Sequence, residues 1–288
     1  MKRFLSNLIR NPAYRENNSK AFHPLGAALL AVFVLQSCSV EKENKRLVSD
    51  TLTIAYTVRD AWPHDTQSFT QGLLIHQGKL YESTGEKNSW IGIVDIATGK
   101  PDKKVTLDKK YFGEGITILN NKVYQLTWKN NTGFIYDLYS FTKLGEFPLS
   151  FAKEGWGLTN NDEHLIMSDG TEKIYYLDTL SLKPVKTLRI RDERGYATNL
   201  NELEYVNGFI FANIWQTNTI VKIDPGTSRV VGRLDLTSLA EKAEKINPSI
   251  DVMNGIAWHP GTESFLVTGK YWPVIYVLKL QEKQTQNP

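Results

Sequence analysis

Eight residues of this 288-residue chain combine a chemically useful side chain with a recurring local context. Glu114 lies between Gly113 and Gly115, Lys270 closes a Val-Thr-Gly-Lys run, Gln71, Asn201 and Asn254 each open an apolar stretch, and Trp128, Trp156 and Trp215 fall at related spacings. A carboxylate can take up and return a proton, an ammonium and amides can hydrogen-bond developing charge, and indoles can wall a small-molecule pocket. Each has a plainer structural reading as well. Glu114 could be a solvated strand end, Lys270 a surface charge, the tryptophans plugs of a channel, and the amides ties to neighbouring backbone. Little else competes for chemistry. There is no Gly-rich phosphate loop, no Gly-x-Ser-x-Gly elbow and no CxxC pair, and His23, His64, His76, His164 and His259 lack ligand spacing.

The elements that must position these residues are strands. Short runs rich in Val, Ile, Tyr, Phe and Thr alternate with Gly, Asn and Asp turns from residue 51 onward, without sustained helical periodicity. Five segments open a strand: Phe69-Thr-Gln71-Gly, Phe112-Gly-Glu114-Gly-Ile-Thr, Glu154-Gly-Trp156-Gly-Leu-Thr, Leu200-Asn201-Glu202-Leu-Glu204 and Met253-Asn254-Gly-Ile-Ala-Trp258. After a turn such as Gln77-Gly78, Asn120-Asn121 or Asn207-Gly208, a second strand ends at Gly85, Trp128, Gly170, Trp215 or Lys270. The offset between opening residue and strand end is 14 in four units and 16 in the fifth, and successive ends lie 43, 42, 45 and 55 residues apart. Third strands end at Asp95, Asp137, Asp178 and Asp224, and fourth strands near Leu107, Leu149, Ile190 and Leu236. Four-stranded repeats of about 40 to 45 residues are propeller blades. The expected fold is therefore all-β: a five-bladed β-propeller of four-stranded antiparallel blades, with a closed β-sandwich as the alternative.

Two details complete the ring. The long last step holds residues 237–248, where Ser238 and Glu241 read as a capping box and Asn247-Pro248 as a stop, predicting one short helix between blades. The fifth unit ends near Leu280 without a fourth strand, and residues 51–57 are expected to supply it, since an open edge would invite aggregation. In such a ring the opening residues and the second-strand ends form two circles on one face. Packing alone would fill equivalent positions with similar residues. Here they hold a carboxylate, a lysine, amides and tryptophans, which is how a site grafted on a scaffold looks.

The N-terminus reads as an export signal. Lys2, Arg3, Arg10, Arg15 and Lys20 precede an apolar run at residues 25–35 and then Leu35-Gln36-Ser37-Cys38. Cys38, the sole cysteine, stands where a lipoprotein thiol would be acylated, so the division expected is a lipoprotein signal peptide at 1–37, a lipidated tether at 38–50 and a propeller at 51–288. The run is about half the roughly 20 residues a spanning helix needs. Removing residues 1–37 takes five of 34 basic and one of 31 acidic residues, and the formal charge goes from +3 to −1. The basicity belongs to the leader, which argues against nucleic acid as a partner.

The five opening motifs, together with Val267-Thr-Gly-Lys270, resemble those of the plant and bacterial glutaminyl-peptide cyclotransferases over residues 51–280. That family is a five-bladed propeller that converts N-terminal glutamine of peptides or proteins to pyroglutamate and releases ammonia. By this resemblance Glu114 is the acidic catalytic residue, with Phe69, Gln71, Phe112, Trp128, Trp156, Asn201, Trp215 and Lys270 around it. Glu114 would carry the proton from amine to leaving group while Lys270, Asn201 and Gln71 bond the amide oxygen, and Asn254 joins the substrate-binding set. No cofactor or catalytic metal is expected, a structural calcium in the channel staying open. The protein would be a monomer, exported and lipid-anchored to the cell envelope. The alternatives are a non-catalytic propeller binding peptides or sugars, and a calcium-dependent lactonase-like propeller.

Overall fold

A computed structural model describes residues 52–86 and 88–281; Cys38, the leader and the tether lie outside the described residues. After β1 (Tyr56–Pro63), blade 1 is β2 (Thr70–His76), β3 (Lys79–Thr84), β4 (Trp90–Val94) and β5 (Pro101–Thr106). Blade 2 is β6 (Gly113–Leu119), β7 (Lys122–Thr127), β8 (Thr132–Asp137) and β9 (Lys143–Pro148), and blade 3 is β10 (Leu158–Asn160), β11 (His164–Ser168), β12 (Lys173–Asp178) and β13 (Pro184–Arg189). A small hairpin, β14 (Arg191–Asp192) and β15 (Gly195–Tyr196), precedes blade 4, which is β16 (Leu200–Val206), β17 (Phe209–Ile214), β18 (Thr219–Asp224) and β19 (Arg229–Asp235). The helix α1 (Thr237–Ile246) leads to β20 (Met253–His259), β21 (Ser264–Gly269) and β22 (Val274–Leu280) of blade 5.

The five expected blades are present, with strand ends within a residue or so of those read from the repeat. The tight turns have the chemistry expected of them. Gln77-Gly78, Asn120-Asn121 and Asn207-Gly208 each place two successive residues at positive φ, the conformation that matches strand twist in a two-residue hairpin.

Three expectations are corrected. The outer strand of blade 5 is β1, paired antiparallel from Tyr56↔Leu280 to Pro63↔Val274, so residues 51–57 contribute only Tyr56 and Thr57. The preceding residues run instead beside β19, with a parallel bridge between Thr53 and Arg233. Blade 4 is not a simple four-stranded unit, because β14 pairs with β19 and makes a six-stranded sheet. The helix has no capping box: its N-cap is Leu236 with no side-chain cap bond, and Asp235 Oδ1 accepts from the Thr237 backbone N–H at 2.9 Å and from the Thr237 hydroxyl at 2.6 Å.

Apolar residues alternate toward both faces of each blade, so each pair of neighbouring blades shares a buried cluster. There are five, joining blades 1 and 2, 2 and 3, 3 and 4, 4 and 5, and 5 and 1. The smallest, between 5 and 1, still buries Leu73, Leu80, Trp90, Val94, Ala257, Leu266 and Ile275. Seven such side chains contribute about 10 kcal/mol gross. The wedges between blades thus hold the ring, and residues around the axis are free to serve another purpose.

Near the axis the repeat's glycines have a packing reason. A Cβ on Gly115 would meet the Leu158 backbone nitrogen, and one on Gly157 would meet the Asn201 carbonyl oxygen. Neighbouring inner strands can approach only where that side chain is missing. Blade 4 breaks the pattern with Glu202, whose carboxylate accepts from Leu73 N at 3.2 Å in blade 1 and Ile256 N at 2.8 Å in blade 5.

Candidate active site

The site residues are aimed by the way the inner strands begin. Pairing of the first two strands slips between Thr70 and Gly72, between Gly113 and Ile116, between Leu200 and Leu203, and between Met253 and Ile256. A bulge there takes the ring residues out of the ladder and re-aims their side chains. At the same end lies a cavity of about 360 Å³ lined by Phe69, Gln71, Phe112, Glu114, Trp128, Trp156, Asn201, Trp215 and Lys270. Nine sequence-predicted residues therefore share one cavity.

Asn254 is the exception. It stands behind Gln71 instead of lining the cavity, donating from Nδ2 to the Thr70 carbonyl at 3.1 Å and to Gln71 Oε1 at 3.0 Å. Gln71 Nε2 in turn donates to Glu114 Oε1 at 2.9 Å. A backbone carbonyl can only accept, so the first bond orients both amides in sequence. The consequence reaches the carboxyl: Oε1 is held as an acceptor, and a proton on Glu114 belongs on Oε2.

Burial dominates the electrostatics. Glu114 is 3% exposed, and desolvation pushes its carboxyl well above the ordinary range; Glu154 pushes the same way, while Lys270 and the Gln71 bond oppose it. Desolvation lowers the Lys270 ammonium in turn, against the pull of Glu114, Asp251 and Glu86. The Lys270 Nζ sits 4.3 Å from the Phe69 ring centroid, where the ring's negative face favours a cation. Asn201 also lines the cavity, and its buried Oδ1 has no hydrogen-bond partner among the described residues.

The aromatic wall is built by exchange of volume. Phe112 occupies the space where Gly85 has no side chain, and Trp156 covers Gly170. Phe112 meets Phe69 and Trp128 edge-to-face at 5.8 and 5.4 Å, and Trp156 meets Trp215 at 5.5 Å. Among the described residues no group of three or more His, Cys, Asp or Glu side chains could hold a metal ion.

A family model described as glutamine cyclotransferase matches residues 29–280. The chain belongs to the glutamine cyclotransferase family. A curated glutaminyl-peptide cyclotransferase of Arabidopsis thaliana is 38% identical over 229 residues, 78% of this chain and 71% of the relative. The crystal structure of Myxococcus xanthus glutaminyl cyclase superposes with a TM-score of 0.75 at 30% identity, over 81% of this chain and 99% of that one.

For a cyclotransferase-family site, the lining also includes Gln216, Asp251 and Val252, which the repeat did not single out. Their signal was adjacency. Gln216 follows the ring residue Trp215, and Asp251 and Val252 exchange backbone bonds with Lys270, Asp251 N donating to Lys270 O at 2.9 Å and Lys270 N to Val252 O at 3.0 Å.

Proposed function

We propose that this protein is a glutaminyl-peptide cyclotransferase that closes N-terminal glutamine of peptides or proteins into pyroglutamate, with Glu114 as the proton carrier. The observation that carries the reading is a buried carboxyl with one oxygen pinned by the Asn254–Gln71 relay and the other left to a cavity walled by aromatic rings.

The reaction is an intramolecular acyl transfer. The substrate's α-amine attacks its own γ-amide carbon, the tetrahedral intermediate expels ammonia, and the ring amide remains. Holding the chain curled so that nitrogen and carbon meet supplies much of the rate, and the Phe69, Phe112, Trp128, Trp156 and Trp215 walls can do so. An α-amine has an ordinary pKa of about 7.7–8.0, so much of it is already nucleophilic near neutrality. What remains is to move one proton from attacking to leaving nitrogen. A carboxyl raised by burial approaches the affinity of both partners, which suits it to that transfer.

The other polar groups divide the remaining work. Lys270 is placed to stabilise the oxygen of the intermediate, since its ammonium faces the cavity beside Glu114. Asn201 lines the cavity, and its amide is a candidate hydrogen-bond partner for the substrate amide. Gln71 has both amide ends engaged and serves chiefly to hold Glu114. No step requires a metal ion. We further infer a leader at 1–37, acylation at Cys38 and a tether to residue 50, placing the propeller on the cell envelope; the sequence Leu35-Gln36-Ser37-Cys38 supports this.

Incubating the purified protein with a Gln-initiated peptide tests the chemistry. Ammonia should be released and the peptide should lose about 17 mass units, the mass of one ammonia, with and without chelator; a peptide of unchanged mass would refute the activity.

A further inference from the structure

The aromatic wall of the cavity is made of two arcs from different blades. Phe69, Phe112 and Trp128 touch in succession through blades 1 and 2, and Trp156 touches Trp215 through blades 3 and 4. No ring contact joins Trp128 to Trp156 among the described residues. The gap is spanned by one atom: Glu154 Oε2 accepts from Trp128 Nε1 at 2.7 Å and from Trp156 Nε1 at 2.8 Å.

The chain is shaped to put Glu154 there. A Cβ on Gly155 would press on the Leu126 Cβ and the Thr127 carbonyl, so the missing side chain lets this segment lie against the end of β7, immediately before Trp128. Glu154 is half-buried, and its neighbour Lys153 is tied back by a backbone N–H to Asp169 Oδ2 at 3.3 Å. Charge-assisted bonds from two indoles to one carboxylate oxygen are short and directional, and they limit how each ring can turn.

We propose that Glu154 is a positioning residue of this site, its single oxygen clamping the Trp128 and Trp156 indoles so that two aromatic arcs act as one substrate-holding wall. This rests on the cyclotransferase reading of the cavity. Glu154 never touches the reacting atoms. It also sets the field there: facing Glu114 are Lys270 from blade 5, Glu154 from blade 3 and the Gln71 amide from blade 1. Asp251 and Glu86 face Lys270, and Lys129 lies 3.7 Å from the Trp128 ring centroid. Removing the Glu154 charge therefore leaves Lys270 less opposed across Glu114.

The clamp and the charge separate by substitution. In Glu154→Gln the amide oxygen can still accept from both indoles, so KM for a Gln-initiated peptide and the indole emission spectrum should stay near wild type. The limb of the kcat/KM profile set by Glu114 should move down by about half a pH unit. In Glu154→Ala both are lost, and KM should rise about tenfold with a smaller change in kcat and an altered emission spectrum, in line with roughly 1.4 kcal/mol of lost positioning. Trp128→Phe keeps a ring but removes one donor; it should reproduce most of that increase, and combining it with Glu154→Ala should add little. If Glu154→Ala does not fold, Trp128→Phe and Glu154→Gln carry the test alone. Wild-type KM in both Glu154→Ala and Trp128→Phe, or an unmoved pH limb in Glu154→Gln, overturns the proposal. Wild-type protein that releases no ammonia would sink the cyclotransferase reading, whereas active wild type with indifferent variants sinks only the clamp.

Discussion

Two buried carboxylates on neighbouring blades are surrounded in opposite ways. Glu82 on β3 has no exposed surface and three donors, Thr70 Oγ1 at 2.7 Å, His64 Nε2 at 3.2 Å and Ser68 Oγ at 3.3 Å. His64 also gives Nδ1–H to the Trp272 carbonyl at 2.8 Å. Burial alone would depress this imidazole, but the Glu82 charge and both bonds outweigh it, and its pKa is raised. When protonated, the imidazole donates at both nitrogens, and the pair is then a satisfied ion pair between the segment after β1 and blade 1. Glu114 is almost as deeply buried, with a single side-chain donor among the described residues and a cavity in front of it. Satisfaction marks the carboxylate that holds the ring, and shortage of partners marks the one that can exchange a proton.

The contrast makes opposite demands on the two positions. Glu114→Gln should lower kcat by roughly 10²–10⁴-fold with thermal stability unchanged or raised, because a neutral amide removes both the proton carrier and a desolvated charge. Glu82→Ala should leave the specific activity of folded protein near wild type but cost about 3–5 kcal/mol by stranding His64. Denaturant titration beside an ammonia assay reads both, and the comparison fails if each variant loses stability and activity together.

Glu204 is the intermediate case. It accepts from Trp258 N at 2.8 Å and Thr159 Oγ1 at 3.4 Å, yet desolvation outweighs both and lifts its carboxyl to about 8. The folded chain thus keeps a proton that the unfolded chain releases above its ordinary value of 4.5. Stability from this group is greatest below that value and is lost as pH rises toward 8. Glu204→Gln should therefore flatten the decline in unfolding free energy between these limits. An equally steep decline in the variant would mean Glu204 is ionised in the fold. The smallest effect expected is from Asn254→Ala, which frees Gln71 without touching the cavity. It should reduce kcat about tenfold with KM little changed, and a rise in KM alone would place Asn254 among the substrate contacts instead.

The repeat made most of this visible before any geometry. Positions such as Leu107, Leu149 and Leu236 end their strands within a residue of where the turn chemistry puts them, because turns and alternation are local properties. The strand and site failures are non-local, whereas the capping box failed locally because Asp235 takes the Thr237 donors at the helix start. Residues 51–57 have strand composition, but which segment meets β22 is decided by where the chain re-enters the ring. Asn254 shares its position in the repeat with Gln71, and only the Thr70 carbonyl reveals that it serves Gln71 from behind. Glu154 has no visible role within the Glu154-Gly-Trp156-Gly motif, since the two indoles that define it come from separate blades.

Gly85 and Gly170 carry a last consequence. Phe112 reaches across from blade 2 to fill the place left by Gly85 of blade 1, while Trp156 fills the place left by Gly170 within its own blade. At the hairpin end blades are near copies, but at the cavity end they are not interchangeable modules. Grafting blade 1 from a relative would import or remove volume that Phe112 of the retained blade must match, whereas in blade 3 Trp156 and Gly170 would travel together and the match left to keep is the Glu154 bond to Trp128 of blade 2.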